Sequence, residues 1–213
     1  MAKKPRVIHT CTECGYSSPK WLGRCPECGS WGTLQEEAPV ASGPVKTSSL
    51  TPSAPASPIT KVEAAATKTV KSGIRELDRV LGSGVVPGSV VLMAGEPGVG
   101  KSTLLLEVAS RWAKQGRKAL YVTAEESAGQ VRSRAERTEA LVDTLYLAAE
   151  SNLDVVFGHV EQLKPSLLIV DSVQTMHAAG VEGVAGGVAQ SRAVTAALTT
   201  LAKTTNIPVL LVG

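Results

Sequence analysis

The feature that most constrains the fold is a glycine-rich segment at residues 95–102, with the sequence GEPGVGKS. It matches the phosphate-loop pattern G-x-x-x-x-G-K-[ST] at every fixed position. An apolar run at residues 90–94 precedes it, and residues 103–115 carry apolar side chains at helical spacing. A strand, a glycine-rich turn and a helix in this order predict a loop whose backbone N–H groups surround phosphate groups. We therefore predict a site for ATP.

The residue types of the loop assign a role to each position. Lys101 is predicted to be catalytic and to place its charge on the β- and γ-phosphates, and Ser102 is predicted to be a ligand of Mg²⁺. A chance glycine-rich turn is the alternative, and the flanking strand and helix argue against it. The residues predicted to bind nucleotide in this segment are Gly95, Glu96, Pro97, Gly98, Val99, Gly100, Lys101, Ser102 and Thr103.

Two carboxylates are expected to complete the site. Asp171 follows the apolar run at residues 167–170, where phosphate-loop proteins hold the magnesium ion, and we predict it as a nucleotide-site residue and magnesium ligand. Glu125 follows a strand at residues 118–123, which we expect beside the phosphate-loop strand, and it is predicted to polarise the attacking water. The alternatives are a helix cap for Asp171 and a solvated loop carboxylate for Glu125. Glu126 is expected to point elsewhere.

Strand and helix patterns alternate through the rest of the chain. Ser127 and Gln130 form a capping-box pattern, further helices are predicted from about residue 151 to 163 and from 188 to 205, and further strands at 145–147, 167–170 and 208–212. Aromatic residues make up 3% of the chain, so the core depends on Val, Leu, Ala and Ile. This order predicts an α/β fold with a mostly parallel sheet covered on both faces.

All four cysteines lie in one short stretch. Cys11 and Cys14 form one C-x2-C pair, and Cys25 and Cys28 form the second. Two such pairs bring four thiolates onto one metal ion, so we predict a structural Zn²⁺ site in a small zinc ribbon. Free or redox-active cysteines and an iron–sulfur cluster are the alternatives. Trp21 and Trp31 are expected to pack over the ribbon, with stacking on nucleic-acid bases as the alternative.

Composition divides the chain into three parts. We predict the zinc ribbon at residues 1–34, a flexible linker rich in Pro, Ala, Ser and Thr at 35–68, and the ATP-binding core at 69–213. The chain ends directly after an apolar strand, so we expect a C-terminal truncation that leaves the core incomplete. Neither a signal peptide nor a membrane-spanning run is apparent, so we expect a cytoplasmic protein without a membrane partner. The net charge of +3 is compatible with nucleic acid but does not argue for it.

The motifs together resemble one family. These are the four-cysteine ribbon, the segment SGIRELDRVLG at 72–82, the phosphate loop, YVTAEES at 121–127 and VDSVQT at 170–175. In this order they are similar to the bacterial RadA family, also called Sms. The resemblance implies a RecA-like P-loop NTPase core preceded by a zinc ribbon. It also implies a Lys-Asn-Arg-Phe-Gly motif and a Lon-protease-like domain, neither of which occurs within these 213 residues.

The resemblance also implies a function. Members of the family are DNA-dependent ATPases of recombinational DNA repair, which drive branch migration or unwinding of recombination intermediates. It implies single-stranded or branched DNA and the RecA recombinase as partners, and a homo-oligomeric ring, commonly a hexamer. Residues 178–192, with Gln190 and Arg192, occupy the position of a DNA-facing loop, for which a mobile surface loop is the alternative. Two other functions stay open: a RecA-like signalling ATPase or autokinase that does not act on DNA, and a binding module in which ATP serves as a switch.

Overall fold

The structure is a computed structural model that describes residues 8–37, 58–61, 68–181 and 183–213. Its contacts divide the chain into two compact units, Met1–Ala66 and Thr67–Gly213, and each unit is described on its own. Most of the predicted linker at 35–68 lies outside the described residues.

The first unit contains a small antiparallel sheet. Its strands are β1 (Ile8–Cys11), β2 (Ser17–Ser18) and β3 (Leu34–Glu37), and β1 lies in the middle. Cys11 pairs with Leu34 across β1 and β3. Among the described residues of this unit, the apolar cluster buries Cys11, Cys25 and Leu34, so the described part of the core is very small.

The second unit is built on parallel strands. Its elements are α1 (Arg75–Val80), β4 (Val90–Met93), α2 (Lys101–Ala113), β5 (Ala119–Thr123), α3 (Ala128–Arg137), β6 (Leu145–Ala149), α4 (Leu153–Leu163), β7 (Leu167–Asp171), α5 (Val188–Thr205) and β8 (Val209–Val212). The strand order is β4-β8-β7-β5-β6, and every neighbouring pair is parallel. This arrangement confirms the predicted α/β fold with a mostly parallel sheet.

Helices cover both faces of this sheet. Every residue of β5, β7 and β8 is buried, because these strands lie in the interior of the sheet. Alternate side chains of a strand point to opposite faces, so each strand contributes to two cores. One core packs Leu105 and Trp112 of α2 with Ile169, and the other packs Val156 of α4 and Leu198 of α5.

One expectation about the sheet is wrong. We expected the strand before Glu125 to lie beside the phosphate-loop strand, but β8 and β7 lie between β4 and β5. Strands that follow each other along the chain need not be neighbours when a helix connects them. The later strands β7 and β8 are apolar on both faces, and burial on both faces favours their interior positions.

Two of the predicted helix boundaries agree with the structure, and one differs. Helix α3 begins after Ser127 with the predicted capping box to Gln130, and α5 has the predicted bounds. Helix α2 begins at Lys101, two residues before the predicted start, because the phosphate loop itself leads into the first turn. Within the described parts of the chain, none of the helices combines the length and apolar character that a membrane span requires.

Candidate functional site

The phosphate loop connects the end of β4 to the first turn of α2. Gly98 and Gly100 have φ angles of +82° and +93°, a region that residues with a Cβ atom rarely adopt. A Cβ atom added at either glycine would meet no heavy atom within 4 Å. The glycines are therefore required for the backbone conformation and not for packing, and the space beside them is open to a ligand.

The start of α2 gives the loop an electrostatic preference for anions. The first N–H groups of a helix have no partner within the helix and lie at the positive end of its dipole. The Lys101 ammonium group adds a full positive charge, and its Nζ donates to the carbonyl oxygens of Gly95 at 2.6 Å and Glu96 at 2.9 Å. The loop, the helix start and the lysine together suit a phosphate group.

A cavity of about 450 Å³ joins the loop to the predicted carboxylates. Asp171 reaches it from the end of β7, and Glu125 from the segment after β5. Glu96 and Val99 belong to the loop but do not line this cavity. The predicted residues that do line it are Gly95, Pro97, Gly98, Gly100, Lys101, Ser102, Thr103, Glu125 and Asp171.

Asp171 is held by a tyrosine. The Tyr121 hydroxyl donates to Asp171 Oδ2 at 2.6 Å, and both residues are buried. Burial first, and then the Asp171 carboxylate, raise the pKa of Tyr121 far above its usual range. Tyr121 therefore stays protonated and acts as a hydrogen-bond donor. Mg²⁺ prefers oxygen ligands, and the Asp171 carboxylate and the Ser102 hydroxyl both belong to residues that line this cavity. The residues present therefore fit this ion.

Glu125 reaches the cavity although its strand is not next to β4. Its Oε1 accepts a hydrogen bond from the Ser172 hydroxyl, directly after Asp171. The segments after β5 and β7 are neighbours because Thr123 and Asp171 are partners in the parallel register. Glu126 accepts a hydrogen bond from Arg134 at 2.9 Å and does not line the cavity, as expected for a residue that points elsewhere.

The four cysteines form a cluster that fits a metal ion. Their Sγ atoms all lie within 4.8 Å of one another. Cys11 and Cys28 have an Sγ–Sγ distance of 3.7 Å, and Cys14 and Cys25 one of 3.6 Å. Disulfide sulfurs are about 2.05 Å apart, whereas a tetrahedral zinc site with Zn–S bonds of about 2.3 Å holds sulfurs about 3.8 Å apart. The cluster therefore has the geometry of a four-thiolate Zn²⁺ site.

The thiols have opposed electrostatic environments. The Thr33 hydroxyl, 3.2 Å from Cys11 Sγ, lowers the pKa of Cys11 to about 6. The Tyr16 backbone lowers the pKa of Cys14, but burial and the neighbouring sulfurs outweigh it and raise that pKa to about 12. Four thiolates this close repel one another, and a divalent cation removes that cost.

Two family models match the chain over these same regions. The model of the AAA domain matches residues 55–213, and a model described as a rubredoxin metal binding domain matches residues 9–36. The first match covers well over half of the chain.

The chain belongs to the AAA domain family.

Three similar curated proteins share the name DNA repair protein RadA. The chain is 54% identical over 205 residues to the DNA repair protein RadA of Mycolicibacterium smegmatis, which covers 94% of this chain and 44% of that protein. It is 55% identical over 213 residues to RadA of Mycobacterium tuberculosis, and this match covers 98% of this chain and 44% of that protein. RadA of Streptococcus pyogenes serotype M6 is 44% identical over 216 residues, and this match covers 100% of this chain and 47% of that protein. The predicted resemblance is confirmed, and the chain spans less than half the length of these relatives.

Within the AAA domain, four residues that line the cavity were not predicted: Ser172, Gln174, Val212 and Gly213. Ser172 and Gln174 lie in the segment 170–175 that carried the family resemblance, but a serine and a glutamine after a strand have no distinctive chemistry in sequence. Tyr121 was missed for a similar reason, since an apolar strand predicts a tyrosine as core.

The proposed DNA-facing segment is partly helical. Residues 188–192 are the first turn of α5, and residue 182 lies outside the described residues. Gln190 is 3% exposed, accepts from the Ala178 N–H at 2.8 Å and donates to the Val181 oxygen at 2.6 Å. The Gln190 side-chain amide therefore joins residues 178–181 to the start of α5, and the DNA-facing position of residues 178–192 stays a prediction. Arg192 lines an adjacent groove of the AAA domain.

The two tryptophans of the cysteine unit are exposed. Trp21 is 61% and Trp31 is 76% accessible, so the expectation that they pack over the ribbon is wrong for most of their surface. The Trp21 Nε1 donates to the Leu34 oxygen at 3.1 Å, and the Arg24 guanidinium lies 5.9 Å from the centre of the Trp31 ring. Within residues 8–37 the apolar cluster buries three residues, and this small core leaves most of both indoles uncovered by that segment.

Proposed function

We propose that this chain is the ATP-binding and ATP-hydrolysing part of a DNA repair protein, with an N-terminal zinc ribbon. The observation that carries the proposal is the convergence of the phosphate loop, Asp171 and Glu125 on one cavity. A nucleotide site, one carboxylate at the end of β7 and a second in the segment after β5 meet the needs of phosphoryl transfer to water.

Each residue has a proposed part in hydrolysis. The loop backbone and Lys101 bind and orient the phosphates of ATP, and Ser102 and Asp171 hold the magnesium ion. Bound Mg²⁺ supplies charge neutralisation on the phosphate oxygens. Glu125 orients the attacking water and accepts its proton, and the Ser172 hydroxyl fixes the Glu125 carboxylate through its hydrogen bond. Thr103 and the loop glycines line the same cavity and are proposed to contact the phosphates.

The proposed substrate of the ATP-driven work is single-stranded or branched DNA. The support is the name DNA repair protein RadA, carried by relatives at 44–55% identity. Branch migration or unwinding, cooperation with the RecA recombinase, and a hexameric ring are parts of the same proposal. The net charge of +3 supplies little attraction for DNA, so contact by several subunits of a ring is the proposed source of affinity.

The test is ATP hydrolysis by the chain with and without single-stranded DNA, beside a Lys101→Ala variant. We expect stimulation by DNA that is lost in the variant, because the variant lacks the charge that binds the phosphates. Hydrolysis that DNA does not change would contradict the DNA-dependent activity. Transfer of the γ-phosphate to the protein itself would instead favour the autokinase alternative, and unchanged ATP affinity in Lys101→Ala would contradict the nucleotide site.

A further inference from the structure

The Tyr121 phenol is a buried polar group in the centre of β5. Its side chain is 0% exposed and belongs to the core between the sheet and α2. A buried hydroxyl costs free energy unless it forms a hydrogen bond, and a phenylalanine would fill the same space without that requirement. A tyrosine here is therefore explained by what its hydroxyl contacts.

The hydroxyl contacts both residues that are proposed to hold magnesium. Tyr121 pairs with Ile169 in the parallel register, two residues before Asp171, so its ring extends toward the end of β7. Its oxygen lies 2.6 Å from Asp171 Oδ2 and 3.4 Å from the Ser102 carbonyl oxygen. The shorter bond takes the single hydroxyl hydrogen, and the longer contact places the same oxygen beside the first turn of α2.

These contacts restrict the Asp171 carboxylate. With Oδ2 engaged by a fixed donor, the carboxyl group cannot turn freely about its Cβ–Cγ bond. Groups that orient a metal ligand in this way affect metal affinity without touching the metal. The same phenol oxygen lies beside the Ser102 backbone at the start of α2, so the Asp171 carboxylate is held next to the residue proposed as the second magnesium ligand.

We propose that Tyr121 is a positioning residue for the magnesium ion, which acts by orienting the Asp171 carboxylate relative to Ser102. The proposal rests on the proposed nucleotide and magnesium site. It predicts that removal of one oxygen atom from the core weakens metal binding and leaves the binding of nucleotide phosphates to the loop unchanged.

The experiment compares Tyr121→Phe with the wild-type chain. Binding of Mn²⁺ to the ADP complex is measured by electron paramagnetic resonance, and ADP affinity is measured separately in excess EDTA. We expect Mn²⁺ affinity to fall by about tenfold or more, the range found for groups that orient metal ligands, with ADP affinity in EDTA unchanged. The matched control is Tyr146→Phe on β6, whose half-buried ring packs on the other core and does not line the nucleotide cavity. Its Mn²⁺ affinity should equal that of the wild type.

Loss of the tyrosine leaves a buried carboxylate without its donor, so Tyr121→Phe can be less stable. A second comparison avoids this: Asp171→Ala is measured beside Tyr121→Phe/Asp171→Ala, in which both partners of the hydrogen bond are removed. Equal Mn²⁺ affinity of these two variants is expected, and a further loss in the double variant overturns the proposal. Unchanged Mn²⁺ affinity in folded Tyr121→Phe also overturns it while the proposed function stands, whereas a wild-type chain that binds no ADP overturns both.

Discussion

The cysteine cluster and the nucleotide site both suit a ligand, but they differ in their relation to the surrounding fold. The four sulfur atoms come from one local stretch, and the apolar cluster around them buries Cys11, Cys25 and Leu34. The nucleotide site draws Lys101, Asp171 and Glu125 from separate elements of a parallel sheet with a core on each face.

The difference concerns which part supplies the stability. The described residues of the ribbon bury too small a core to offset the conformational entropy of their folding by apolar burial alone, so we expect the metal ion to contribute folding free energy. The sheet has a large buried apolar cluster on each face, so we expect its fold to depend on apolar burial, and its site is placed by the strand ends. In the ribbon the ligand stabilises the fold, and in the AAA domain the fold positions the ligand site.

Removal of zinc should have the largest effect on stability, and this effect should be confined to the cysteine unit. We expect a zinc chelator, or Cys25→Ser, to unfold residues 8–37, because structural zinc contributes about 10–16 kcal/mol in small zinc domains. Hydrogen exchange should show loss of protection in β1 and β3 and unchanged protection in β5 and β7. The control is Lys20→Ala, which changes an exposed residue of the same unit outside the cysteine cluster and should leave β1 protected. If β1 stays protected after zinc is removed, the ribbon does not depend on its metal ion for stability, and the contrast with the AAA domain is wrong.

Glu125→Gln should have the opposite signature, with a large effect on activity and little on stability. Glu125 is exposed in the segment after β5, and a glutamine oxygen can still accept the Ser172 hydrogen bond. We expect ATP hydrolysis to fall by about 10²–10⁴-fold, the usual contribution of a general base, with the melting temperature and ATP affinity unchanged.

The control for the lost charge is Glu136→Gln, an exposed residue of α3 in an ion pair with Arg132. Its hydrolysis rate should match that of the wild type. If Glu125→Gln lowers the melting temperature while hydrolysis continues, the carboxylate stabilises the fold and is not a general base. The nucleotide site would then resemble the cysteine cluster in contributing to stability.

The same difference explains what the sequence could predict. Spacing alone identifies Cys11, Cys14, Cys25 and Cys28 as one cluster, because all the information lies in neighbouring residues. The phosphate loop and the Ser127 capping box are local in the same way. The position of β5, separated from β4 by two later strands, depends on which strands are buried on both faces, and chain order does not encode that.

Side-chain partners across strands were the other gap. The bond from Tyr121 to Asp171 joins residues 50 positions apart, and the bond from Ser172 to Glu125 joins residues 47 apart. Each depends on the register of β5 against β7, which no local pattern specifies. Asp171 and Glu125 were predicted from their positions at strand ends, but the groups that orient them became apparent only with the sheet order.

Ser127→Ala should have the smallest effect on stability. It tests whether the N-cap of α3 helps to position Glu125. The Ser127 hydroxyl accepts from the Gln130 N–H, and the Gln130 side chain accepts from the Ser127 N–H at 2.8 Å. Loss of an N-cap costs about 1 kcal/mol, which lowers the melting temperature of a unit this size by about 2–4 °C. The control is Ser133→Ala, an exposed serine inside the same helix, which should keep or slightly raise stability since alanine favours helices. Because Ser127 follows Glu125 by two residues, a hydrolysis rate that falls far more than this loss of stability would mean that the cap itself positions Glu125.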